Sequence, residues 1–330
     1  MRSRARGAAL LAAMLTVALV ATFAAAALWQ QWRSVEVEAA ERARVQSAWV
    51  LTGALDWARL VLREDARSGG ADHLGEPWAV PLQEARLSSF LAADRSNTAD
   101  TGPDVLEAFL SGQITDLQSK LNVRNLVKED GKLPDDEGIR TFARLFELLA
   151  LPASELERLA ENLRFALDTS GANQSSPMAP LVPQQLEQLV WLGLSENTVA
   201  ALQPYVTVLP MRTAVNLNTA SAEVIYASLE ALSMADAQRL VTARASSYFR
   251  SIADAERAIG ADNGAFAQGQ PSVNVDFRSR FFEIHSRLRL DRLVVEERAV
   301  VQRNGLDVRI LSRQRGTPEA AALAPEAANR

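Results

Sequence analysis

The chain has 330 residues, 48% of them hydrophobic and 6% aromatic, with 35 basic and 40 acidic side chains and a formal charge of −5. That balance works against nucleic-acid binding, which leaves a basic footprint. The lack of cysteine excludes disulfides, thiolate metal sites and a cysteine nucleophile, and two histidines, His73 and His285, are too few for a histidine-rich metal centre.

Arg2, Arg4 and Arg6 precede an uncharged run of 21 residues, Ala8 to Leu28. At about 1.5 Å per residue, a helix of that length spans the roughly 30 Å hydrocarbon core of a bilayer. The arginines predict a cytoplasmic N-terminus, and Trp29 and Trp32 suit the far interface. A signal peptide is the competing reading, because "TFAAAALWQ" offers small residues for cleavage near Ala26. The run is longer than an ordinary signal core of about 7–15 residues. The helical pattern also continues beyond it: Trp29 to Arg67 contains no Pro, and Gly53 is its only Gly. Val45, Trp49, Leu51, Leu55, Ala58 and Leu62 recur at three- and four-residue spacing, an amphipathic stripe. Together the segments predict one helix of about 60 residues, roughly 90 Å long, stopped at Gly69 and Gly70.

"HLGEPWAVPL" is a turn-rich connector broken by Pro77 and Pro81. "QITDLQSKLNVRNLV" does not settle between strand and helix. From Pro134 to Thr169 the period is helical, interrupted at Pro152, with Ser154 as the expected N-cap of the second helix. Thr169 to Pro183 is a Gly/Ser/Pro loop, and "QQLEQLVWLGLSENTVAALQPYV" reads as two short helices broken at Gly193. "VNLNTASAEVI" begins a pair of helices, Ala222 to Leu229 and Met234 to Arg244, with Asn218 or Thr219 and then Ser233 as caps. The period then changes to two. Phe282, Ile284, Leu288 and Leu290 share one face, and His285, Arg287 and Arg289 the other. Asn304–Gly305 is a hairpin signal joining "LVVEERAVVQR" to "LDVRILSR". A three-stranded antiparallel meander follows, too small to stand alone, with the amphipathic half of the long helix as its cover. The last residues, 316–330, read as a disordered tail.

No GxSxG, HExxH or P-loop is present, so no catalytic residue is assigned. His285 reads as a solvated strand residue and His73 as a loop residue, while Trp49, Trp57, Trp78 and Trp191 read as core. The acidic loop "KEDGKLPDDEG" carries hard oxygen ligands that suit calcium. Its spacing is not that of an EF-hand, and Asp135 to Glu137 equally suit capping of the next helix.

The leader "MRSRARG" followed by "AALLAAMLTVALVA" resembles type IV pilins and pseudopilins. The resemblance implies cleavage by a prepilin peptidase between Gly7 and Ala8, admits N-methylation of Ala8, and implies retention of the apolar helix. Most members carry Glu five residues after the cut; Ala12 stands there, and this departure is shared with K-type minor pseudopilins of type II secretion. Such proteins also carry a helix-hairpin-helix-like module in a helical insertion, resembled by "VNLNTASAEV". The hairpin "LEALSMAD" has no glycine for backbone contact with phosphate. Relatives bind calcium near an acidic stretch; the candidates for comparable ligands are Asp130, Asp135 and Asp168.

The resemblance implies an α+β fold, with the long helix packed on a C-terminal antiparallel sheet and a large all-α insertion. The expected divisions are leader 1–7, transmembrane helix 8–28, its periplasmic continuation 29–68, start of the pilin-like body 69–127, insertion 128–275, meander 276–315 and tail. The implied function is a cap and nucleus at the tip of the pseudopilus that drives export of folded proteins. The implied partners are I- and J-type minor pseudopilins, the major pseudopilin filament and the inner-membrane platform, with no nucleic acid. The implied location is the inner membrane, single-pass, with a periplasmic body. Loss of the leader arginines would take the formal charge from −5 to −8. The alternative from the residues alone is a secreted or periplasmic module whose helical hairpin binds nucleic acid or peptide.

Overall fold

The computed structural model describes residues 4–87, 108–129, 131, 133–168, 170, 179–260, 274–290 and 293–316. Asp130, the Asp291–Arg292 connection and the tail from 317 onward lie outside the described residues.

The long helix, α1 (Arg4–Ser68), runs unbroken for 65 residues, roughly 100 Å. It ends where Gly69 and Gly70 take positive φ, 68° and 121°, conformations that cost a glycine little. Its C-terminal half lies across a five-stranded antiparallel sheet of order β1-β2-β7-β8-β9. These strands are β1 (Leu82–Arg86), β2 (Ala108–Asp116), β7 (Phe281–Leu290), β8 (Leu293–Asn304) and β9 (Asp307–Gly316). The meander read from the sequence forms three of them. The other two come from the stretch after α1, and part of the segment that gave no clear period is β2. It pairs in register with β7 from Ala108↔Leu290 to Asp116↔Phe282.

The core under α1 joins Leu55, Ala58 and Leu62 to Trp78, Ile114, Phe282, Ile284, Ala299, Val301 and Val308. Period two holds in β7: Phe282, Ile284, Leu288 and Leu290 are all buried. Arginines tie the helix down at three heights. Arg313 donates to Thr52 Oγ1 (2.8 Å), Arg59 to Val308 O (2.8 and 3.0 Å) and Arg303 to Asp65 (2.6 Å). The helix stripe differs from expectation at its start. Ser47 and Leu51 are buried, whereas Val45 and Trp49 point to solvent. At 100° per residue, 47, 51, 55, 58 and 62 form a tighter arc than one beginning at 45 and 49. The β8–β9 turn is also one residue off: Asn304 pairs with Asp307, and Gly305, at φ 58°, takes the first of the two central positions, as in a type II′ turn.

Between β2 and β7 the chain forms a helical unit. Its helices are α2 (Asp136–Leu148), α3 (Ala153–Leu167), α4 (Glu196–Leu202), α5 (Ala222–Ser228), α6 (Met234–Ser246) and α7 (Ile252–Ile259). Two-stranded parallel pairings knit it together: β3 (Leu121–Asn122) with β4 (Val206–Thr207), and β5 (Val215–Asn216) with β6 (Val275–Asp276). One continuous core fills it, from Leu121, Val123, Leu126 and Val127 through Phe142, Leu159, Leu189 and Leu217 to Val275. Gly138, in the first turn of α2, allows a backbone approach that no other residue does. A Cβ there would lie 2.0 Å from Asn125 O.

Capping departs from the sequence reading at two helices. α3 starts two residues early, capped by Pro152 rather than Ser154. α5 is capped by Ser221, which frees Asn218 and Thr219 for long-range contacts, while Ser233 caps α6 as expected. The segment before Gly193 is a 3-10 helix (Leu186–Leu192), with α4 beyond it.

Candidate functional site

The described part of the apolar run buries nothing. Leu10, Leu11, Met14, Leu15, Val17, Val20 and Phe23 are each more than half exposed. The helix that holds them is long and apolar enough to cross a membrane. Gly7 and Ala8 fall in its first turns, and Ala12 lies on its open apolar surface. Trp29 and Trp32 follow, exposed, with the Arg33 guanidinium 5.8 Å from the Trp29 ring centre.

A second exposed apolar surface lies further along α1. Trp49 is 74% exposed, with Val45, Trp57 and Leu60 also open. Trp191 is exposed on the helical unit, so of the four tryptophans read as core only Trp78 is buried. Trp78 packs edge-on to Phe282 and donates through Nε1 to Glu76 Oε2 (2.7 Å). The other three lie on helix segments whose inner faces are already filled by Leu and Ala.

The seam between sheet and helical unit is polar and largely buried. Asp116, at the end of β2, is buried and carries four donors. Gln118 N–H reaches Oδ1 at 2.8 Å; Thr219 Oγ1 and Ser279 Oγ, both 2.6 Å away, and Asn216 Nδ2, at 3.2 Å, reach Oδ2. Burial pushes its pKa up to about 6, against the pull of those donors. Ser279 N–H donates to Asp72 Oδ2 (2.6 Å), and Asn216 Nδ2 also reaches Asp72 O (3.1 Å). Arg303 pairs with Asp72 and Asp65 and donates to Ser279 O (2.9 Å). Burial raises the pKa of both acids, with Glu76 adding to the effect at Asp65. Burial also opposes the charge of Arg303, but the two carboxylates outweigh it and raise its pKa. His73 stacks on Tyr248 of the helical unit at 3.8 Å, and burial lowers its pKa.

Asp130 lies outside the described residues, and among those described neither Asp135 nor Asp168 belongs to a group of three acidic or histidine side chains close enough to share a metal ion. Asp135 caps α2, accepting from Glu137 and Gly138 N–H, and pairs with Arg212. Burial opposes its charge, but these partners prevail and hold its pKa below the usual carboxylate range. Asp168 closes α3 and accepts from Ser170 N–H (2.9 Å). Asp65, Asp72 and Glu76 form a different acidic group, with oxygens within 4.8 Å of one another. Arg303 bridges two of its three carboxylates, so a guanidinium supplies the positive charge there. His285 is not simply solvated: its Nε2 is buried, 3.4 Å from Glu296 Oε2. Sequence reasoning missed Asp72, Asp116, Ser279 and Arg303, whose partners lie far along the chain.

Two family models, both described as type II secretion system protein K, match residues 119–211 and 215–275. These spans coincide with the helical unit. The type II secretion system protein K of Pseudomonas aeruginosa is 28% identical, covering 96% of this chain and 94% of that one. The protein K of Pectobacterium carotovorum subsp. carotovorum is 24% identical over 96% and 98%. Among solved structures, one described as the GspK–GspI–GspJ complex from the enterotoxigenic Escherichia coli type 2 secretion system contains a chain of similar fold. It has a TM-score of 0.58 and 16% identity, over 84% of this chain and 99% of that chain. These likenesses support a K-type pseudopilin, a minor pseudopilin of the type II secretion system.

Proposed function

We propose that this minor pseudopilin caps and nucleates the tip of its filament. The observation that carries the reading is where the bulk sits. The helical unit docks at the C-terminal end of α1, through Asp72 N–H to Phe277 O (2.8 Å), Arg278 to Gly70 O (2.9 Å) and the His73–Tyr248 stack. The uncovered apolar segment is at the opposite end of the same helix. A subunit so built offers a rod to neighbours beneath it and an obstruction above it. The partners are the I- and J-type minor pseudopilins, in keeping with the complex that holds the E. coli GspK. They pack on the open apolar face of α1 around Val45 and Trp49.

In this reading a prepilin peptidase cuts between Gly7 and Ala8, the mature chain spans the inner membrane once, and the body lies in the periplasm. Ala12 offers no acid to pair with a neighbour's terminal amine, which suits a subunit with none above it. The leader, the two parts of α1, the sheet-bearing body and the helical unit are its working divisions. α5 and α6 form a helix-hairpin-helix-like pair that packs rather than binds DNA, and the helical unit has a structural role.

Mass spectrometry of the protein from its membrane tests the processing, with a mature chain beginning at Ala8; a start near Leu28 rejects it. Capture of I- and J-type partners by the full chain tests the assembly. Trp49→Ala should weaken capture by tenfold or more, with stability within about 0.5 kcal/mol of the parent. Unaltered capture rejects this face as the docking surface.

A further inference from the structure

The helical unit joins the sheet by two chain crossings, out at the end of β2 and back at the start of β7. The register Asp116↔Phe282 puts them side by side at one end of neighbouring strands. Paired crossings of this kind make a hinge. The apolar contact beside it is small: Leu117, Leu209 and Phe281, with Val300 packed against them. What spans the hinge is Asp116, held at once by the outgoing chain (Gln118), the returning chain (Ser279) and the helical unit itself (Asn216 and Thr219). Among the described residues no cation bonds to it. Arg303 is taken up by Asp65 and Asp72, Arg278 by Gly70 O, and Arg244 by Leu217 and Ala220 O.

We propose that Asp116 is a proton-operated latch, which clamps the helical unit to the sheet when its carboxyl is protonated and lets it swing when the carboxylate is ionised. A buried carboxylate with hydrogen bonds but no counter-charge bears a cost of charge burial that its donors only partly offset. Opening the seam hydrates it. Protonation removes that cost, and the hydroxyls of Thr219 and Ser279 can each turn to accept the new O–H.

The sign follows from linkage. The docked carboxyl titrates at about 6 and a hydrated one near 3.8. Proton uptake therefore favours the docked state below about pH 6, and that gain is lost as the pH rises through 6. Asp65 and Asp72 face the same seam from the end of α1 and shift in the same sense. His73 shifts in the opposite sense: its depressed pKa means that acid favours opening. Glu76 lines the Asp65 side, and Arg303, Arg278 and Arg244 are the cations beside the seam.

Hydrogen exchange on the full chain in detergent micelles, corrected for intrinsic rates, tests the latch at the amides of 215–220 and 279–282. Protection in His73→Gln, where the opposing titration is gone, should rise about tenfold from pH 7 to pH 5, and somewhat less in the parent. Asp116→Asn in the same background should lose most of that dependence, keeping only the share that Asp65 and Asp72 carry. A flat profile in His73→Gln, or a slope that Asp116→Asn leaves undiminished, overturns the proposal. Should Asp116→Asn fail to fold, Ser279→Ala must move the midpoint upward, because it removes a donor to the ionised form; a midpoint that stays put overturns it equally.

Discussion

The two halves of the body are built by opposite strategies. The helical unit draws its core from one unbroken stretch, Leu121 to Val275, and its helices pack largely on near neighbours in sequence. The sheet gathers its core from α1, the Trp78 turn, β2 and the C-terminal strands, segments separated by as much as about three quarters of the chain. Local contacts form early and cheaply, whereas long-range pairing must first close long loops. The helical unit should therefore tolerate loss of the sheet better than the sheet tolerates loss of any one contributor.

The sharpest way to break that comparison is Arg303→Met. It leaves Asp65 and Asp72 buried without their cation, a loss of about 3–5 kcal/mol for a broken buried pair. Urea unfolding of the full chain in detergent, followed by near-UV circular dichroism and by hydrogen exchange in each region, should show the sheet opening first with the helical unit intact. Simultaneous loss of both regions would mean that they are one cooperative unit. The converse variant is Gly138→Ala. Its methyl meets the Asn125 carbonyl at 2.0 Å, and the overpacking should cost about 3 kcal/mol. Here exchange should accelerate in α2 and its neighbours while the sheet amides keep their protection.

The sequence was legible where structure is local. The helical period of 136–167, the capping Ser233, the break at Gly193 and the alternation in β7 depend on residues within a turn or two. β1 and β2 were not legible. Ala108 to Asp116 carries few branched residues, and its partner β7 lies about 170 residues on, so no local pattern announces it. The polar seam was hidden for the same reason, since Asp116 finds Thr219 and Ser279 at separations of 103 and 163. Exposed Trp49 was misassigned because a tryptophan at helical spacing looks the same whether it faces a core or a neighbouring subunit.

Asn218 and Ser221 sharpen the comparison at its finest grain, because local reasoning placed the cap at Asn218 or Thr219 and the fold places it at Ser221. Asn218 is buried and bonds both ways with Phe249, Nδ2 to O and Oδ1 from N–H, each at 2.8 Å. Asn218→Ala strands both backbone groups inside the helical unit and should cost about 2 kcal/mol. Ser221 accepts from Val224 N–H, at 3.4 Å, so Ser221→Ala should cost about 1 kcal/mol or less. Equilibrium unfolding of the two variants should rank them in that order. Were Ser221 the costlier of the two, α5 would be held by its own cap rather than by long-range contacts, and the helical unit would be more nearly a sum of autonomous helices than its continuous core implies.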